Sequence, residues 1–173
     1  QDANGERATR KAILVAQKLE RHEDVVRLLE SYGNHYPMSS ELLSMKGDAF
    51  AALGKKEQAA NVWRSIQVKW PQSSAETRAQ ESIKELKASK KKLRKWGKLQ
   101  SREQWLRAEK LFKTHKSEAA AASYAELSKT QKKGTGKRCK ALHFVARSYD
   151  KLRKRKDSAP WHGKAVKECK KDK

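Results

Sequence analysis

The sequence predicts an all-α protein, a right-handed α-solenoid of stacked antiparallel helical hairpins. Three observations carry that expectation. Tyr36-Pro37 and Trp70-Pro71 lie 34 residues apart, and each pair closes a segment of the same helix–turn–helix pattern. Apolar residues recur three and four positions apart in both halves of these segments, which puts them on one face of a helix. The composition is 36% hydrophobic and 36% charged, as expected where each hairpin buries one seam and exposes the rest.

The chain reads as one repeat domain over residues 1–173, with hairpins at about 6–36, 40–70, an irregular 74–98, then 102–129 and 137–169. In the first hairpin Ile13, Leu14 and Ala16 to Leu19 form one apolar stripe, and Val25, Val26, Leu28, Leu29 and Tyr32 the other. Pro37 ends it, because proline has no backbone donor and its ring clashes with the preceding turn. In the second hairpin Ser39 or Ser40 caps the first helix, and Gly54 supplies a left-handed turn between the helices. Small Gly47 and Ala59 allow a close crossing beside which Phe50 and Trp63 fill the space. A third helix begins near Ser73 or Ser74 and presents Ala75, Ala79, Ile83, Leu86 and Leu93, with Gly97 as the break. In the fourth hairpin Trp105, Ala108, Leu111 and Phe112 face Ala119, Ala120, Ser123, Tyr124 and Leu127. In the fifth, Leu142, Val145, Ala146 and Tyr149 face Ala159, Trp161, Ala165 and Val166, and Pro160 falls in the first turn of the last helix, where proline is tolerated.

Gly47, Phe50, Leu53-Gly54, Ala59, Trp63 and Pro71 at this period resemble the tetratricopeptide repeat. The first hairpin departs from that pattern, with Ile13 and Val25 where small residues are expected. Ala146-x-x-Tyr149-x-x-Leu152 repeats the spacing Gly47-x-x-Phe50-x-x-Leu53. The resemblance implies a stack that holds other molecules.

The formal charge of +22 is unevenly spread: residues 1–83 carry 12 Lys/Arg and 11 Asp/Glu, residues 84–173 carry 30 and 9. The second half therefore generates a local positive field that attracts polyanions. Two basic regions are the binding candidates. One is Lys90, Lys91, Lys92, Arg94, Lys95, Lys98 and Arg102, with Trp96 interleaved; the other is Lys151, Arg153, Lys154, Arg155 and Lys156 at the fifth hairpin's turn. No apolar run approaches the ~18 residues of a membrane span. Gln1-Asp2-Ala3 reads either as a mature terminus left by signal-peptide cleavage or as an arbitrary start point.

Cys139 and Cys169, the only cysteines, lie about four helical turns either side of the fifth hairpin's turn. In an antiparallel pair they face each other, and a disulfide there would close a loop of about 30 residues for roughly 3–4 kcal/mol. The alternatives are two unrelated buried thiols, or a zinc site with His143 and His162, whose four ligands do not converge easily. Enzyme signatures are missing: there is no HExxH, GxSxG or P-loop. Glu76, Glu81 and Glu85 recur on one helix and, without a cleft, read as solvated surface. No catalytic, cofactor or metal residue is assigned.

The run Arg107-Ala-Glu-Lys-Leu-Phe112, then Glu118-Ala119-Ala120, Cys139-Lys-Ala-Leu142, Ala146-Arg-Ser-Tyr149, Leu152-Arg153 and Val166-x-x-Cys169 is similar to the α-superhelical region of bacterial soluble lytic transglycosylases. This resemblance, over residues 105–169, implies a periplasmic or secreted, non-catalytic helical portion associated with peptidoglycan or a peptidoglycan-acting protein. Its partner is then another protein or an anionic cell-wall polymer. The alternative is a basic intracellular repeat protein that binds RNA or an acidic protein; with few aromatics for base stacking and no recognition motif, nucleic acid is the less favoured partner.

Overall fold

The computed structural model describes residues 3–89 and 97–169, with side chains to 86 and from 97. These residues are helical throughout apart from turns and short connections. The helices are α1 (Ala3–Lys18), α2 (His22–His35), α3 (Ser40–Ala52), α4 (Lys56–Lys69), α5 (Ser74–Ser89), α6 (Ser101–Lys113), α7 (Ser117–Thr130), α8 (Gly136–Lys151) and α9 (Arg155–Glu168). Neighbours in sequence pack as antiparallel, TPR-like hairpins. The chain divides into two compact units, Gln1–Lys98 and Leu99–Lys173, where the sequence alone reads as one domain.

The four hairpin turns share one backbone solution. Glu20, Gly54, His115 and Arg153 adopt positive φ of 54°, 72°, 59° and 56°. The next N–H returns to the preceding helix in each: Arg21 to the Ala16 carbonyl, Lys55 to Phe50, Lys116 to Leu111 and Lys154 to Tyr149, at 2.9–3.0 Å. This six-to-one closure is the Schellman arrangement, which satisfies carbonyls left open at a helix end. Arg21, Lys55, Lys116 and Lys154 then start the second helices with ψ of 59–69° and no side-chain cap. Capping residues appear instead at the other entries. Ser39 accepts from the Leu42 N–H and Thr135 from the Arg138 N–H, each closing an otherwise open donor.

In the first unit, Ile13, Ala16, Val25, Leu29, Tyr32, Leu42 and Ala49 form one core cluster. Ile13 and Val25 are fully buried there, so larger side chains fill the crossing that the second hairpin leaves to Gly47. A second cluster joins Phe50, Ala59, Trp63 and Ile66 to Ala75, Ala79 and Ile83 of α5, a single helix on the preceding hairpin. The second unit is centred on Ala108, Leu111, Ala120, Tyr124, Leu127, Ala141 and Val145.

One expectation changes. The last helix begins at Arg155, so Pro160 is its sixth residue and lies beyond the first turn. The Lys156 carbonyl thereby loses the N–H it would have received. The helix starts early because the Arg153 turn closes on Tyr149, leaving Lys154 to begin α9 directly.

Candidate functional site: a basic groove with an aromatic floor

The site is built on two helices of the second unit. Arg102, Trp105, Glu109 and Phe112 recur at three- and four-residue steps on α6, as do Lys137, Lys140, Phe144, Arg147 and Lys151 on α8. Such spacing gathers each set on one helix face. The α8 row extends ~21 Å at the helical rise of ~1.5 Å per residue.

Aromatic rings form the floor. Trp105 meets Tyr124 edge-on at 5.7 Å, Tyr124 stacks on Phe144 at 5.0 Å, and Phe144 meets Phe112 edge-on at 5.2 Å. Burial, and then the charge of Glu109, pushes the Tyr124 phenol up to about 12, so it remains neutral. Cations lie over this floor. Lys151 Nζ is 3.7 Å from the Phe112 ring centre and donates to the Phe112 carbonyl at 3.2 Å. Arg147 lies 5.8 Å from the same ring, and Lys140 Nζ 5.9 Å from that of Trp105. Each ring face attracts its cation through the quadrupole. At one end Ser101, Arg102, Trp105, Glu109, Lys137 and Lys140 line a groove of about 560 Å³. The Trp105 Nε1 there is shielded from solvent and has no hydrogen-bond acceptor among the described residues.

Of the sequence candidates that the structure describes, Arg102 lines this groove and Lys151 joins the cation row over its floor. Lys98 is exposed. Lys90, Lys91, Lys92, Arg94, Lys95 and Trp96 lie outside the described residues. Arg153 and Lys154 on the α8–α9 turn and Arg155 and Lys156 at the start of α9 are exposed, and Lys154 already pairs with Glu118 at 2.6 Å. Sequence reasoning weighted consecutive charge and therefore missed Lys137, Lys140 and Arg147. Their signal was helical spacing of cations opposite a matching row of aromatics.

Cys139 and Cys169 form a disulfide, with Cα atoms 5.8 Å apart. The same sulfurs are thus unavailable as zinc ligands, and among the described residues no group of three or more His, Cys, Asp or Glu side chains is placed to hold a metal. Beside the disulfide, Arg138 forms an ion pair with Glu168 and donates to the carbonyls of Ser128 and Gln131. That clamp joins the ends of α7 and α9 to the start of α8. Farther along, Ser158 donates to Asp150 and His162 meets the other Asp150 oxygen at 3.0 Å. These bonds, Ser158 first, hold the Asp150 carboxyl below its usual range. Ser158 thus gives its proton to the carboxylate and not to the imidazole, so the trio fastens two helices and does not arm a nucleophile.

No family model matches the chain, and no curated protein matches it. Solved structures do overlap it weakly. MamA AMB-1 is 14% identical over 96% of this chain and 92% of its own, with a TM-score of 0.39. TTC0263, a thermophilic TPR protein in Thermus thermophilus, is 14% identical over 96% and 93%, with a TM-score of 0.37. The TPR-like repeats of a Podosopora anserina putative kinesin light chain are 15% identical over 93% and 92%, at 0.38. With overlaps this slight, the helical-repeat fold of this chain rests on its own four turns and hairpins.

Proposed function

We propose that this chain is a non-catalytic helical-repeat binding domain of the bacterial cell envelope, periplasmic or secreted, whose α6–α8 groove holds an anionic partner. That partner is peptidoglycan, engaged through the carboxylates of its stem peptides, or a peptidoglycan-acting protein. The observation that carries the reading is the row of Lys137, Lys140, Arg147 and Lys151 over an aromatic floor. Carboxylates suit this row better than nucleobases do. Lys151 already covers Phe112, and Phe144 is stacked on Tyr124, which leaves few ring faces for bases. The Cys139–Cys169 disulfide supports the location, since such bonds persist in oxidising compartments and not in the cytosol.

The test is co-sedimentation with purified peptidoglycan across a salt series, with RNA as competitor and a Lys137→Glu/Lys140→Glu variant alongside. Retention that survives moderate salt, resists RNA and falls in the variant is expected. Retention lost at moderate salt, or equally strong RNA binding, would reduce the groove to unspecific charge. Free thiols in protein isolated from its native cells would overturn the envelope assignment.

A further inference from the structure

The end of the α6–α8 groove at Ser101 and Lys137 combines three chemistries. Its volume of about 560 Å³ falls within the ~300–1,000 Å³ of small-molecule clefts. Arg102, Lys137 and Lys140 supply positive charge. None of the three has a carboxylate within ion-pair distance among the described residues. Trp105 supplies an apolar surface. It is only partly buried, with Tyr124 packed edge-on at 5.7 Å and Lys140 Nζ 5.9 Å from the ring centre. Glu109 supplies an acceptor. Its Oε1 takes Lys113 at 2.9 Å, and its other oxygen has no hydrogen-bond or ion-pair partner among the described residues.

Together these groups exclude the simpler occupants. A metal ion is repelled by the three cations. A bare polyanion makes no use of the ring and is repelled by Glu109. A nucleobase stacks on a whole aromatic face, whereas Tyr124 and Lys140 leave only part of Trp105 open. An acidic sugar satisfies every group at once. Its C–H face packs on part of an indole, and its hydroxyl and amide N–H groups donate to Glu109. Its carboxylate takes charge-assisted hydrogen bonds from Lys137 and Lys140.

We infer that this end of the groove binds a carboxylate-bearing sugar ring of the glycan strand, N-acetylmuramic acid with its lactyl carboxylate free, seated on Trp105 with the carboxylate on Lys137 and Lys140. The inference rests on the reading of the groove as a peptidoglycan site and adds recognition of the glycan to it. A stem peptide is joined to the strand through that carboxylate as an amide. Hydrolysis of the amide must therefore come first, since it returns the carboxylate that the two lysines pair with. Arg147 and Lys151, farther along the row, remain open to stem peptides on neighbouring sugars.

The experiment titrates the full chain at about 0.15 M salt, where charges beyond ~8 Å are screened, and follows the Trp105 ring resonances, assigned through Trp105→Phe. The probes are N-acetylmuramic acid, N-acetylglucosamine (the ring without the lactyl acid), lactate (the acid without the ring) and uridine monophosphate. Saturable binding of N-acetylmuramic acid that moves the Trp105 ring is expected. Affinity should be about five-fold lower for N-acetylglucosamine, for lactate, and for N-acetylmuramic acid in a Lys137→Gln/Lys140→Gln variant, whose changes are at exposed positions. Lactate binding as tightly would reduce the pocket to a carboxylate site, and N-acetylglucosamine binding as tightly would remove the charge contact; either overturns the inference. Equal affinity for uridine monophosphate would reassign the pocket to nucleotides. A still Trp105 ring overturns the sugar pocket even where peptidoglycan is retained. Sugar binding by a chain that does not retain peptidoglycan would instead sink the cell-wall reading and leave the pocket standing.

Discussion

Three residues bear the backbone cost of the repeated turn. Glu20, His115 and Arg153 sit in the left-handed region that Gly54 occupies without penalty, where an L side chain crowds its own carbonyl by ~1–2 kcal/mol. Replacing Glu20 or His115 by glycine is expected to stabilise the protein by about 1 kcal/mol, offset in part by glycine's larger unfolded-state entropy. Gly54→Ala is expected to cost about as much. Calorimetric melting checks both, with shifts of roughly 2–4 °C in opposite directions. The sequence marked only one of these turns, because glycine announces a left-handed residue and glutamate, histidine and arginine do not. What imposes the conformation at the other three is the six-to-one hydrogen bond closing each helix.

At the level of elements, the Arg138–Glu168 clamp ties the last helix to the rest of its unit. Hydrogen bonding to Arg138 lowers the Glu168 carboxyl below its ordinary value of 4.5. A carboxylate depressed in the fold contributes stability above its unfolded value, and that contribution disappears as pH falls through the folded one. Wild-type protein should therefore lose stability between about pH 5 and 3 more steeply than Glu168→Gln. Urea midpoints measured across that range test this, and parallel slopes would refute it. Helix placement was largely legible: the expected hairpin boundaries agree with α1–α4 and α6–α8 to within a few residues. Spacing of apolar residues sufficed there, because burial alone selects the face. The disulfide was legible as one of three readings, since two cysteines about equidistant from one turn can meet in an antiparallel pair, and the structure places them together. The groove was not, because Lys137, Lys140, Arg147 and Lys151 are separated in sequence and become a row only once α8 is wound.

Across the whole chain, charge changes along the sequence near residue 84 and not at the boundary between the two units. Residues 84–173 hold 30 of the 42 Lys and Arg and only 9 of the 20 Asp and Glu. A generic polyanion should accordingly protect amides in 99–169 from hydrogen exchange and leave 3–86 unchanged. Equal protection in both would mean that binding is not directed by this asymmetry. The composition made the imbalance legible, whereas the division at Lys98 and Leu99 was not, because the helical pattern continues on both sides. The disulfide has one more effect, on what proteolysis can do. The Arg153–Lys156 turn is exposed and entirely basic, an inviting target for any protease that cuts after lysine or arginine. Cys139 and Cys169 lie on opposite sides of it. A molecule severed at that turn keeps its C-terminal helix attached through sulfur, so the scission is silent until a reductant separates the two pieces.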